Sequence, residues 1–292
     1  MDNEKALSYR RLLPKLNYFN IKELYNMPKY FGWVEYSISP LNKIRMFLAG
    51  NDDGVAMRCF WNNGYESKTL KIWSKITSDE GIILDIGAHS GIYSLVANNA
   101  IKKGMVMSFE PHFLNFSRLN INLRANNFST KGAFMFAVGS KNETLPFSVN
   151  QNLDYLTSGG RLGKLINRKT FPVQAIAIDQ FLDSKAQSNV KVIKIDVEGH
   201  EYECLKGMTD TIKKSNPIIF LECMSIKNNN EITRFLKNHN YEFFVVNDIT
   251  SKLEKVEKIY PIFDNEKVII HETINRIAVP KIKTKNIQKY FI

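Results

Sequence analysis

Residues 82–92 read IILDIGAHSGI, and the reading of this stretch decides the fold. A short β-branched run reaches Asp85 and Ile86, glycines stand at 87 and 91, and GIYSLVANNA (91–100) repeats apolar residues at helical spacing through Ile92, Leu95 and Val96. The pattern is strand, turn, helix. Glycines in such a turn let the backbone pass close to a ligand, and the free N–H groups of the helix start favour a carboxylate or phosphate. A nucleotide-type ligand is implied.

The spacing D-x-G-x-x-x-G discriminates among nucleotides. A dinucleotide turn needs G-x-G-x-x-G, whereas Ala88, His89 and Ser90 leave only Gly87 and Gly91, so the pyrophosphate cradle is missing. What remains suits a ligand with an amino acid tail, its amino group on Asp85 or nearby carbonyls and its carboxylate on the turn amides. The next strand, Met105–Phe109, ends at Glu110, 25 positions after Asp85, where one carboxylate can take both hydroxyls of a ribose. S-adenosylmethionine (SAM) has both parts. Pro111 follows in the same turn, and Ala137 and Val138, closing a third strand, are small enough to flank an adenine or are plain core.

Outward from this centre, strands and helices alternate. A helix is expected over 113–126, and strands over 133–138, 192–195 and 218–221, the last two entered by Lys191 and Pro217. Such alternation gives a mostly parallel sheet buried on both faces by helices. The runs FFVV (243–246) and KVIIHE (267–272) read as a closing antiparallel pair. Upstream, strands over 44–49 and 55–60 flank Asn51-Asp52-Asp53-Gly54, a hairpin signal. An excursion at 143–178, with strands at 145–149 and 173–178, is expected to fold over the mouth of the site, with Ser158 and Gly159 near the acceptor. The expected organisation is an N-terminal cap (1–67), a core (68–250) carrying the insertion, and a C-terminal extension (251–292).

The richest chemistry lies in VKVIKIDVEGHEYECLKGM, residues 190–208. A strand ends at Asp196, Glu198 and Gly199 turn, and His200, Glu201 and Glu203 open a helix. Acids at a helix start are favoured by its dipole, which is the structural reading. At the carboxyl edge of a central parallel strand they also stand where ligands bind. Methyl transfer to an alcohol needs an aligned acceptor and a base for its proton. Asp196, Glu198 and Glu201 can orient a diol and accept a proton, and His200 is the group best tuned to neutral pH. Which of them is the base stays open, as does a divalent cation held by the same oxygens, although none is indicated. Glu222, in IIFLECM, points to the same rim as an acceptor contact or is a paired structural acid.

These segments resemble the FkbM family of SAM-dependent methyltransferases: LDIGAHSGIYS (84–94), SFEPHFLNFSRLNINLRAN (108–126), AVGS (137–140), KIDVEGHEYECLKG (194–207) and FLEC (220–223), over about residues 60–225. The resemblance implies an α/β Rossmann-like class I methyltransferase fold and O-methylation, often of sugars in polysaccharides, glycolipids or glycosylated natural products. It assigns Asp85, Gly87, Gly91 and Glu110 to SAM and Asp196, Glu198 and Glu201 to the acceptor pocket. It also places Tyr65-Glu66 at the cofactor entrance. His89 departs from the usual Asn and offers a group that can titrate.

Composition bounds the alternatives. The chain has 292 residues, 44% hydrophobic, a formal charge of +11 and three scattered cysteines, Cys59, Cys204 and Cys223, read as reduced core thiols. No apolar run approaches a membrane span and no secretory signal opens the chain, so a cytoplasmic location is expected. The basic ends, Lys5, Arg10 and Arg11 at one and Lys281, Lys283, Lys285 and Lys289 at the other, allow peripheral contact with an anionic membrane. The competing readings are a nucleic-acid methyltransferase and a silent SAM-binding protein. Against the first, Asn216-Pro217 is followed by Ile218, so the motif that grips an exocyclic amine is absent; against the second, the acids at 196, 198 and 201 are intact. Oligomeric state is open.

Overall fold

The computed structural model describes residues 2–14, 19–40, 42–149, 156, 159–222, 226–247, 252–259, 263–264, 267–268 and 275–287. Helices α1 (Asp2–Leu12) and α2 (Ile21–Tyr25) come first, and Asn20 with Glu23 forms a capping box on α2. The hairpin β1 (Tyr30–Ser39) and β2 (Asn42–Gly50) follows, then α3 (Gly54–Trp61) and α4 (Ser67–Ile76). Alternation in the hairpin turns Val34, Tyr36 and Ile38 of β1 and Ile44, Met46 and Leu48 of β2 inward, into a cluster that continues through Trp73 to Phe220 of the central sheet.

The expected strand over 55–60 is instead α3. Asp53 Oδ1 accepts the N–H groups of Val55 (2.8 Å) and Ala56 (3.1 Å), so the Asn51–Gly54 segment starts a helix rather than turning a hairpin. The partner of β2 is β1.

The core then runs β3 (Gly81–Ile86), α5 (Ile92–Ala100), β4 (Gly104–Phe109), α6 (Phe113–Ala125) and β5 (Ala133–Phe134). The insertion contains β6 (Ala137–Val138), β7 (Glu143–Val149), β8 (Arg161–Leu162) and β9 (Lys169–Ile176), followed by α7 (Ile178–Phe181) and α8 (Ser184–Ser188). Next come β10 (Val190–Ile195), α9 (Glu201–Lys206), α10 (Thr209–Ser215), β11 (Ile218–Glu222), α11 (Ile226–Asn238), β12 (Tyr241–Asn247) and β13 (Lys252–Val256). The last elements are β14 (Phe263–Asp264), β15 (Lys267–Val268), β16 (Asn275–Pro280) and α12 (Thr284–Ile287).

The eight-stranded sheet has the order β13-β12-β16-β11-β10-β3-β4-β5. β3, β4, β5, β10 and β11 are parallel, and β16 enters antiparallel between β11 and β12. The edge strand β13 is likewise antiparallel to β12, and a mostly parallel sheet with helices on both faces and reversed strands on its C-terminal side is the Rossmann-like class I methyltransferase architecture.

Three expectations are corrected. The single strand over 133–138 is two: β5 joins the main sheet, while β6 pairs with β9 in a separate sheet of order β6-β9-β7-β8. The closing antiparallel strand is β16, from the stretch assigned to a C-terminal extension; among the described residues Lys267–Val268 pairs with Phe263–Asp264, and 269–272 lie outside them. The strand expected over 173–178 begins at Lys169 and ends at Ile176.

Because Asp53 caps α3 from a fully buried position, Asp53→Ala should lower unfolding free energy by roughly 1 kcal/mol. Asp53→Asn, which offers the same acceptor, should retain most of it. Equal urea midpoints for Asp53→Ala and the unaltered protein would remove the cap as the reason this segment is helical.

Candidate active site

Parallel strands end on one edge, so β3, β4, β10 and β11 deliver the glycine turn, Glu110, Asp196 and Glu222 to a common rim. β16 runs the other way and brings its first residue, Asn275, to the same edge, opposite Glu222. The two acidic groups, distant in sequence, therefore meet. Asp196 N–H donates to the Ile86 carbonyl at 2.9 Å, and a Cβ on Gly87 would lie 1.7 Å from the Asp196 carbonyl oxygen. Only glycine fits there, at φ +82°.

The turn is pinned from below. The N–H groups of Gly87 and Ala88 both reach the Phe109 carbonyl, at 2.9 and 3.0 Å, and Gly91 opens α5. His89 stands at φ +52°, its Nδ1 3.1 Å from Ser90 Oγ, and its buried Nε2 has no hydrogen-bond partner among the described residues. Its backbone N–H donates to Glu110 Oε2 at 2.8 Å, and that of His112 to Glu110 Oε1 at 2.9 Å. Glu110 is thus buried and locked to the turn, its carboxyl raised by burial against the pull of His89 and these bonds. Pro111 is half-buried beside it.

Asp85 sits lower than the rim. It is buried, accepts from Ser94 Oγ of α5, and Ser94 in turn lies 2.6 Å from Ser108 Oγ. Burial pushes its carboxyl up to about 6, with the Ser94 bond and Lys194 opposing. Ala137 and Val138 are buried in apolar clusters, and the Val138 carbonyl accepts from Cys204 Sγ.

On the other side of the turn, Asp196 keeps about a quarter of its side chain open to the rim (26%) and meets Lys194 Nζ at 3.3 Å. Asp196 and Glu222 follow the paired residues Ile195 and Leu221 of neighbouring strands and stand side by side. Burial raises the Asp196 carboxyl, but Lys194 and Glu222 outweigh it and hold it below its ordinary range, whereas burial and the Asp196 charge drive Glu222 well up. Glu198, at φ +55°, is raised to about 7 by burial and by Asp196, against Arg161 and Arg168 of the insertion. Glu201 is buried and accepts the Gly199 N–H at 2.8 Å, so it closes the turn. His200 faces the insertion: its Nε2 lies against Gly139, and Glu203 and Glu143 are its charged neighbours, with burial lowering its pKa. Gly159 accepts from Arg168 Nη1 at 2.5 Å, and Ser158 lies outside the described residues.

Three participants escape a motif-led reading. Lys194 is buried in the strand, 2.7 Å from Asn275 Oδ1 and 4.9 Å from the Tyr93 ring centroid; Asn275 Nδ2 reaches Glu66 Oε2 at 2.6 Å, and Tyr93 O–H donates to the same oxygen. The signal for Lys194 was in the sequence, since a lysine inside an apolar central strand must be paired. Asn275 carries no such mark. Among the described residues no three or more acids, histidines and cysteines cluster as a metal site, and no helix is long and apolar enough to cross a membrane.

A SAM site needs a turn that tolerates close approach and an acid for the ribose. The glycine that opens α5, the unpaired His89 Nε2 and the locked Glu110 are consistent with that ligand. Several known proteins are similar to this chain. A hexuronic acid methyltransferase, AglP of Haloferax volcanii, is 26% identical over 164 residues, which cover 53% of this chain and 61% of the relative. The solved FkbM methyltransferase of Methylobacillus flagellatus KT superposes with a TM-score of 0.43 at 13% identity, over 77% of this chain and 53% of that one. A SAM-dependent methyltransferase of Agrobacterium tumefaciens gives 0.43 at 10% identity, over 87% and 72%. The chain thus spans about half to three-fifths of the length of the first two relatives. Residues 85–243 match the methyltransferase FkbM domain, and the chain belongs to that family of SAM-dependent methyltransferases.

Proposed function

We propose that the protein methylates a hydroxyl oxygen, with a sugar of a polysaccharide, glycolipid or glycosylated metabolite as acceptor. The observation that carries this is the rim-exposed Asp196, seated against the glycine turn and paired with the buried Lys194 at 3.3 Å. When bound, SAM supplies an electrophilic methyl group. An alcohol attacks such a group only as its O–H bond breaks, leaving the electron pair on oxygen, and Asp196 is placed to receive that proton. Glu198 and Glu222, both held toward the protonated form, donate or accept hydrogen bonds to neighbouring hydroxyls of a diol.

The sign of the rim also bears on the acceptor. Asp196, Glu198, Glu201 and Glu222 crowd the edge where the reacting oxygen sits, so a neutral hydroxyl fits there better than a carboxylate. Arg161 and Arg168, in electrostatic reach of Glu198, give the insertion a positive side suited to an acidic group elsewhere on the sugar. This agrees with the hexuronic acid named for the relative.

In this reading Asp85, Gly87, Ala88, His89, Gly91 and Glu110 hold the cofactor and Glu66 borders its entrance. Glu110→Ala, which removes a charged acceptor worth roughly 1.5 to 3 kcal/mol, should weaken SAM affinity about tenfold to a hundredfold. Calorimetry returning the original affinity would take Glu110 out of the site. Asp196→Asn should cut turnover on cell-surface glycan by about a hundredfold or more while SAM binding stays close to the original. Turnover near the original level would exclude Asp196 as the base.

Asp85 is ionised at neutral pH against its own burial, which a ligand ammonium would relieve. Its folded pKa, about 6, exceeds an unfolded value near 4 by roughly two units, or about 3 kcal/mol. The folded state therefore binds this proton more tightly, and the stability so gained is full below about pH 4 and lost as pH rises through about 6. Asp85→Asn should then be more stable, relative to the unaltered protein, at pH 8 than at pH 4.5, with weaker SAM binding. Urea midpoints that shift equally at both pH values would show that Asp85 carries no such penalty.

A further inference from the structure

Lys194 is 1% exposed, and among the described residues no other lysine is buried so deeply. Its ammonium touches three groups: Asp196 just after its own strand β10 (3.3 Å), Asn275 of β16 (2.7 Å) and the Tyr93 face of α5 (4.9 Å to the centroid). Asn275 is itself held, its amide donating to Glu66 at 2.6 Å, and Tyr93 O–H donates to that same carboxylate. Glu66, at φ +41° ahead of α4, thereby anchors both groups that grip the ammonium.

The arrangement acts on a carboxyl pair. Asp196 and Glu222 directly follow the paired residues Ile195 and Leu221 of the neighbouring parallel strands β10 and β11, so the two carboxyls stand side by side at the rim, and like charges so placed favour one retained proton between them. A cation fixed beside one member decides which of them is ionised. The other charged or titratable groups around the pair are Glu66 and Tyr65 before α4, Asp85 of β3, His89 of the glycine turn, Tyr93 of α5 and Glu198 after β10. Among these, Lys194 is the cation that donates a hydrogen bond to Asp196.

We propose that Lys194 is a positioning residue for methyl transfer: clamped by Asn275 and Glu66, its ammonium keeps Asp196 the ionised member of the Asp196–Glu222 pair and leaves the shared proton on Glu222. The inference rests on Asp196 being the base. An ionised Asp196 takes the acceptor proton, and the neutral Glu222 beside it adds no second charge to repel the developing alkoxide. A lysine kept only for packing would stabilise the fold without deciding where that proton sits.

The test is the carboxyl titration of the full, ligand-free chain, labelled with carbon-13 at Asp and Glu carboxyls, with the two signals assigned through Asp196→Asn and Glu222→Gln. In the unaltered protein Asp196 should remain ionised from pH 5 to 8 while Glu222 carries the proton. In Lys194→Met the Asp196 midpoint should rise by about one pH unit or more, and Lys194→Arg should restore most of the original behaviour. A folded Lys194→Met whose Asp196 midpoint does not move would overturn the proposal. If Lys194→Met does not fold, Asn275→Ala, which loosens the ammonium without removing it, should raise the same midpoint by a smaller amount, and an unmoved midpoint there is equally fatal. Surviving turnover in Asp196→Asn would remove the base while leaving this titration intact, so the two readings fail separately.

Discussion

The site depends on one close contact: the Gly87 turn leaves β3 directly against the main chain at Asp196, with an Asp196 N–H to Ile86 hydrogen bond holding the two strands in register. No side chain fits between them. The glycine turn and the strand end that carries Asp196 are therefore parts of one rigid edge, which is what an in-line displacement would require of the roles proposed for them. A shift of the order of 1 Å between these strands would disturb both halves of the site together.

That edge concentrates negative charge in a poorly solvated place. Asp85 and Glu110 are buried on one side of the glycine turn, and Asp196, Glu198, Glu201 and Glu222 crowd the other. Buried like charges are tolerated where backbone N–H groups, a fixed cation or a retained proton offset each one. The turn uses the first solution at Glu110, through His89 and His112 N–H, and at Glu201, through Gly199 N–H. Asp196 uses the second, and Glu222 and Glu198 tend to the third. The acids of one rim are thus offset in different ways, with Asp196 held low and Glu222 and Glu198 held high.

Much of this was legible in the sequence. Glycine spacing after a β-branched run, an acid at the next strand end and the Asp196–Glu201 cluster are local patterns, and each maps to one turn of the fold. What was not legible depends on contacts between distant segments. Asp53 reads as a hairpin residue because Asp-Gly is ambiguous between turning a strand and capping a helix; the capping bonds to Val55 and Ala56 decide it. Asn275-Arg276 precedes too short an apolar run to read as a central strand, yet β16 is hydrogen-bonded on both sides and buried throughout. The His200 side chain lies with the insertion because β6 leaves the main sheet and carries Gly139 against α9, a topological event no local pattern encodes.

The FkbM match spans residues 85–243, so it contains Lys194 but neither Glu66 nor Asn275, the residues that hold the ammonium in place. The N-terminal layer and the last strand are therefore more than packing around a family domain. Glu66 comes from one and Asn275 from the other, and they meet on a single hydrogen bond beneath the rim. Neither segment could be removed without freeing a buried cation next to Asp196, and an unclamped cation in a low-dielectric strand either deprotonates or draws water in. The reach of the site beyond its matching domain follows from that electrostatic requirement.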